Sequence, residues 1–347
     1  GQPRIPGQAQ DHLGVDLEAQ EGEDAFGDNI RAIFARYGAD KALRISPGEP
    51  SSYTCVVAPP GIDRIFFHCP GCNDTFTSAD INYDTVAQSR LFHFGYPPLM
   101  ACFYKDGGVE LATMLRKVRE RGVITSLDMA LPDPASPAGK ADWGKILDAS
   151  LGYLDFFTPS LEELLYMVDP DLFARRKAEA SGERGLSGAI THDDVRMLGG
   201  RLLQGGVAVA LIKCGIRGLY LRTASKERLA ALAGSGDFDV SAWADKELWA
   251  PPYCVKVVSA TGSGDCSIAG FLASWLRGHT PEEALNLGCV AVAFNVQTPD
   301  AVSGMRPLSE MEQFLSGKHP RIQHQLPAES GWKWDDGAQI WQSGGKR

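Results

Sequence analysis

The stretch "SATGSGDCSIAGFLASW", Ser259–Trp275, decides how the rest of the chain reads. Ile268, Phe271, Leu272, Trp275 and Leu276 recur at i, i+3, i+4, i+7 and i+8, so a helix with an apolar stripe runs through them. Its first turn falls on Gly262–Ser267. Backbone N–H groups in a first turn lack helical partners and gather an anion. Gly262 and Gly264 let the chain approach that anion closely. Yet Asp265, a carboxylate, stands in the same turn. The spacing fits neither G-x-x-x-x-G-K-[ST] nor G-x-G-x-x-G. Two uses suit a carboxylate there. It can cap the helix start, worth ~1 kcal/mol. Or, beside an N–H cradle for phosphate, it can take the proton of a substrate hydroxyl in phosphoryl transfer.

Composition narrows the choice. The 347 residues are 44% hydrophobic and 22% charged, enough for a sizeable core. A net charge of −9 argues against nucleic acid or anionic membrane as a general partner and leaves small anions open. No apolar run approaches the ~20 residues that span a bilayer. The opening residues, "GQPRIPGQAQDH", lack a signal-peptide layout. The expectation is a cytoplasmic protein. The eight cysteines are scattered and read as free thiols. Cys69 and Cys72 in "HCPGC" have redox or zinc spacing, but there is no second C-x-x-C pair, so they read as part of a structural loop.

Along the chain, "EDAFGDNIRAIFARY" (23–37) predicts a helix, and Tyr53–Ala58 and Arg64–His68 predict two strands around a Pro-Pro-Gly turn. From Leu91, short apolar strands alternate with helices: "LFHFG", "VITSLDM", "LDFFTPS" and "VAVALIKCG" are strands, and "GLYLRT" follows directly. That rhythm means βαβ crossovers and a mainly parallel sheet covered on both faces. Arg175–Gly188 and Ala233–Val240 read as surface connections. Residues 319–347 carry three tryptophans without a period and read as an irregular tail.

"TGSGDCSIAGFLASWLRG" resembles the C-terminal signature of the ribokinase-like (PfkB-type) carbohydrate kinases. "GEDAFGDNI", "DRIFFHCPGCNDTF", "FHFGYPPLM", "GVITSLDM", "DFFTPSLEE" and "LIKCGIRGLYL" resemble further family segments, in family order. The resemblance implies a three-layer α/β fold with a small β lid, as one kinase domain over 1–318 with lid strands within 45–75. It implies ATP-dependent transfer of the γ-phosphate to a hydroxyl of a small sugar or sugar derivative. Asp265 would be the base, and the backbone of Gly262, Ser263 and Gly264 the anion hole. Glu163 would help place Mg²⁺ through water, with Glu162 competing. Thr261, Gly215, Gly218, Asn295, Ser303 and Gly304 would serve the nucleotide, and Asn73 and Asp128 the sugar. A homodimer through the lid is also implied. On the residues alone, Glu163 reads equally as a first-turn glutamate favoured by the helix dipole, and Gly215 and Gly218 as a hairpin turn. His93 and Asp128 read equally as satisfied strand-end groups.

Three departures qualify the resemblance. The family's first strand, G-G-x-x-x-N segment and first helix have no clear counterpart before Gly22. Ser259-Ala260 stands where the family has D-T, so no K⁺ site carries over. Ser160 replaces the asparagine of N-x-x-E and reaches less far. A second reading therefore stands beside the kinase: a kinase-like protein that binds nucleotide or sugar in a regulatory or scaffold role. Arg64 is a candidate for a phosphorylated acceptor.

Overall fold

Val209, Ala210, Leu211 and Ile212 are consecutive and each fully buried. Such a run belongs to a strand covered on both faces, and the computed structural model places it at the centre of the molecule. The structure describes residues 15, 17–57, 65–180, 185–232, 238–322, 326 and 331–344. Its strands are β1 (Glu18–Gly22), β2 (Ala42–Ser46), β3 (Tyr53–Val57), β4 (Ile65–Cys69), β5 (Leu91–Phe94), β6 (Ile124–Leu127), β7 (Phe156–Phe157), β8 (Val209–Lys213), β9 (Leu219–Thr223), β10 (Glu247–Ala250), β11 (Trp332–Asp335) and β12 (Ile340–Ser343).

Eight strands form the main sheet in the order β11-β12-β10-β9-β8-β7-β6-β5. β5 to β8 are parallel, and β9, β10, β12 and β11 continue the sheet antiparallel. Successive side chains leave a strand on opposite faces. Ala210 and Ile212 accordingly enter one hydrophobic cluster, with Met114, Ile146, Leu164 and Leu198. Val209 and Leu211 enter the other, with Phe271, Leu285 and Val290. Helices Val109–Glu120, Trp143–Ser150, Leu161–Val168 and His192–Gln204 supply the first layer. Helices Ser263–Leu276, Pro281–Asn295 and Leu308–Leu315 supply the second. No helix among the described residues is long and apolar enough to cross a membrane.

The predicted irregular tail is corrected by the hairpin β11–β12, which pairs with β10. Trp332 is buried against Trp249 and Tyr220, with ring centroids 6.2 and 6.4 Å apart. Two four-residue strands are too short to show a period, so the tryptophans carried no readable pattern. Arg175–Gly188 is not wholly connection either. A helix, Pro170–Glu179, runs into it, capped by Asp169 and held by Arg176 bonding Asp194 at 2.9 and 3.1 Å. Residues 233–237 and Arg64 lie outside the described residues.

In the N-terminal part the helix predicted over 23–37 is present as Ala25–Tyr37, and a strand the sequence reading did not name, β1, stands ahead of it. Asp24 caps the helix by accepting from the Gly27 amide. β1 pairs with β2 in a two-stranded sheet of its own, leaving β5 as the edge of the main sheet among the described residues. The strand EAQEG escaped notice because it is polar. β3 and β4 form a two-stranded antiparallel ribbon, anchored by Tyr53 stacked on Phe26 at 4.3 Å. All eight cysteines are free, Cys69 and Cys72 included.

Gly218 joins β8 to β9 at φ 86°, and a Cβ there would overlap the Ala250 carbonyl oxygen. Gly218→Ala adds that clash to a strained backbone. It is expected to cost at least about 2 kcal/mol in urea denaturation. A loss under about 0.5 kcal/mol, the range of a neutral surface change, would contradict the packing described.

Candidate active site

β7 and β8 are apolar on both faces, and charged side chains collect where the parallel strands end. In an open α/β sheet that carboxyl edge is where ligands bind. His93 lies on β5 and Tyr96 just beyond it. Asp128 follows β6. Glu163 stands in the first turn of the helix after β7, and Lys213 ends β8. The mouth of the Ser263–Leu276 helix faces them from the other side of the cleft.

Lys213 ties the group together. Its Nζ donates to both oxygens of Asp128, at 2.6 and 2.7 Å. Asp128 is 1% exposed. Burial pushes its carboxyl up, to about 7, against the pull of Lys213. Burial also raises Glu163, again opposed by Lys213. Glu163 accepts from the Ser160 amide at 2.6 Å while Ser160 Oγ accepts from the Glu163 amide, a capping box. Ser160, the residue in the asparagine position, therefore serves the helix start. His93 opens onto the cleft and shares a hydrogen bond of 2.9 Å with Ser126 Oγ. Surrounding protein and the Lys213 charge hold its imidazole below the usual range.

Asp265 is exposed to the cleft, and its Oδ1 accepts the phenolic O–H of Tyr96. Burial, reinforced by the Asp265 charge, holds that phenol protonated. The helix mouth is shaped by Gly262 at φ 75°, where a Cβ would strike Ala301. No side chain caps this helix. The Ser263 amide turns back to the Ala260 carbonyl at 3.3 Å. The amides of Gly264 and Asp265 have no partner among the described residues. The Gly262 amide, just ahead of the helix, has no partner among the described residues either, so of the three amides the sequence named only that of Ser263 is engaged.

Beside the mouth lies a cavity of about 270 Å³. Gly215, Gly218, Ser263 and Gly264 line it, as do Lys213 and the apolar Val255, Val257, Val292 and Val296. Four other predicted nucleotide residues do not line it. Asn295 is fully buried, and its Nδ2 donates to the Ala301 carbonyl at 2.8 Å. The Ser303 amide donates to Asp300 Oδ1 at 2.7 Å, and Gly304 packs under the Phe294 carbonyl. These three shape the loop that backs Gly262. Thr261 adjoins the cavity, its amide held by Ser259 Oγ at 3.1 Å. Asn73 sits in a short 3-10 turn after β4; its backbone amide donates to the Pro70 carbonyl, and no hydrogen bond joins it to the cluster. Lys213 and Tyr96 went unrecognised in the sequence. The signal for Lys213 was a charge closing the run VALIK.

The raised carboxyl of Asp128 has a consequence for stability. From about pH 4 to about 7 the folded chain binds this proton more tightly than the unfolded chain, so the contribution to stability falls as pH rises through that window. Asp128→Asn lacks this dependence. Its melting temperature is expected to gain on the parent's between those pH values. A parent that gains on the variant would show that Lys213 outweighs burial.

The sequence model of the pfkB family carbohydrate kinases matches residues 15–307. An uncharacterized sugar kinase of Archaeoglobus fulgidus is 22% identical over 284 residues, 82% of this chain and 92% of that one. Among solved structures, fructokinase with bound ATP from Xylella fastidiosa superposes with a TM-score of 0.62 at 18% identity, over 87% of this chain and 85% of that chain. Arabidopsis thaliana ribokinase complexed with ribose and ATP gives 0.60 at 18% identity, over 87% and 81%. At these identities the superpositions establish the ribokinase-like fold. The family match spans most of the sequence, and the chain belongs to the pfkB family of carbohydrate kinases, phosphotransferases with an alcohol acceptor.

Proposed function

We propose that the chain moves the γ-phosphoryl of ATP to a hydroxyl of a small sugar or sugar derivative, with Asp265 as the base. The observation that carries this reading is the O–H of Tyr96 on Asp265 Oδ1, at the mouth of a helix with two free amides. The carboxylate already accepts a hydrogen bond from a hydroxyl where a phosphoryl group can be held in reach. An acceptor displaces the phenol and presents its own hydroxyl. Its oxygen bonds to phosphorus, its proton passes to Asp265, the bond to the β-bridging oxygen breaks, and ADP leaves. The amides of Gly264 and Asp265 meet the charge that develops on the phosphoryl oxygens.

The apolar cavity suits a nucleotide base, consistent with the ATP present in the fructokinase and ribokinase neighbours. Mg²⁺ usually keeps waters and binds through one or two carboxylates plus phosphates. Among the described residues no three His, Cys, Asp or Glu groups form a ready metal site. The residues fit a metal that arrives with the nucleotide, with Glu163 positioned to hold its waters. Bound there, it would neutralise phosphate charge. The D-T aspartate is absent, and K⁺ has no role in this scheme.

Asp265→Asn is expected to lower turnover by about 10²–10⁴-fold while nucleotide binding stays within a few-fold. Undiminished turnover would remove Asp265 as the base. The second reading, binding without turnover, draws on the same Tyr96 contact, since a phenol already occupies the carboxylate. It gains ground if parent and Tyr96→Phe are equally silent with every acceptor.

The lid supports a homodimer. Val56, Val57, Ile65, Phe66 and Phe67 are 44–62% exposed on a two-stranded ribbon, and such a ribbon is marginal alone. Light scattering is expected to show a dimer that Phe67→Asp converts to monomer. A parent that is monomeric at all concentrations would exclude this assembly.

A further inference from the structure

Lys213 runs along the wall of the nucleotide cavity, beside Gly215, Ser263 and Gly264. Its side chain is only 12% exposed. Nζ emerges against the helix mouth, where a Cβ built on Gly264 would stand 3.7 Å from it. From there its charge reaches Asp128, Glu163 and His93. Ordering a long side chain and desolvating its charge both cost free energy, and a buried ion pair often gains no more than an apolar pair of the same size. Stability alone is a weak reason for a lysine here. Its position is informative: a phosphoryl group passing from the cavity to a hydroxyl on Asp265 must cross the helix mouth at Gly264, and Nζ stands against that crossing.

We infer that Lys213 is a catalytic residue of this site: its ammonium meets the transferring phosphoryl group, and Asp128 is the positioning residue that holds it ready. The inference rests on the phosphoryl-transfer reading above. An ammonium has three N–H donors, and the two contacts to Asp128 leave one free. A fixed cation in a water-poor site stabilises charge on the phosphoryl oxygens without reorganising during the reaction. Lys213 keeps its protons throughout. The acceptor proton still passes to Asp265 and the bond to the β-bridging oxygen still breaks.

The test uses the full chain as parent, Lys213→Met, Lys213→Arg, Asp128→Asn and the double variant Asp128→Asn/Lys213→Met. The first readout needs no chemistry: affinity for a non-hydrolysable ATP analogue relative to ADP. Lys213→Met is expected to lose about 10-fold of the preference for the γ-phosphate, and Lys213→Arg to retain most of it. The second readout is kcat, expected to fall by about 10²–10³-fold in Lys213→Met with a few-fold change in acceptor KM. The third separates catalysis from folding. The double variant removes both buried charges, so it should recover the melting temperature lost in Lys213→Met without recovering kcat. Recovery of kcat to the level of Asp128→Asn, or an unchanged analogue preference in Lys213→Met, would overturn the assignment. Asp265→Asn serves as control. If Asp265 is not the base, that variant turns over, while the analogue preference still reports on Lys213, so the two readings fail separately.

Discussion

From Val209 to Ile212 no side chain reaches water, because both faces of β8 are covered by helices. The neighbouring β7 is equally buried at Phe156 and Phe157. A sheet closed on both faces leaves polar chemistry to the lines where its strands begin and stop: Asp155 pairs with Arg228 at 2.8 Å on the first, and the cleft occupies the second. His93, Asp128, Glu163 and Lys213 all stand on that second line. A charge one residue earlier on β8 would be enclosed in the core, at the several-kcal/mol cost of an uncompensated buried ion. The core thus fixes where the site can be, and the helix Ser263–Leu276 decides what it can do.

That helix separates two environments. On one side is the apolar cavity walled by Val255, Val257, Val292 and Val296, suited to a base. On the other is the cleft with His93, Tyr96 and Asp128, suited to hydroxyl groups. Between them, free amides, one carboxylate and one ammonium meet within the span of the helix mouth. The loop pinned by Asn295 and packed against Gly262 holds that mouth from behind. Its residues act through the backbone they position.

Much of this was legible in the residues. The alternation of apolar strands and amphipathic helices gave the layered parallel sheet, since burial on both faces forces near-continuous apolar runs such as VALIK. The Gly-Ser-Gly-Asp turn marked the start of the helix Ser263–Leu276, because glycine spacing and helix periodicity are local properties. Contacts between distant segments were not legible. Tyr96 meets Asp265 across 169 residues, and Lys213 meets Asp128 across 85. Nothing in "HFGYPP" or "LIKCG" alone announces either partner. Asn295 was placed at the nucleotide by resemblance, whereas its buried amide braces a loop. The β11–β12 hairpin hid for another reason: its stability comes from Trp332 packing on Trp249 and Tyr220, a tertiary effect absent from local pattern.

The central claim is that Asp265 and the helix mouth transfer a phosphoryl group to a sugar hydroxyl. Phosphorus NMR of the chain with ATP, Mg²⁺ and a panel of unphosphorylated sugars, polyols and nucleosides tests it directly. The account predicts, for at least one acceptor, a new phosphomonoester signal that grows in step with ADP and is absent when the acceptor is omitted. Nucleotide binding without acceptor-dependent ADP across the whole panel would contradict it.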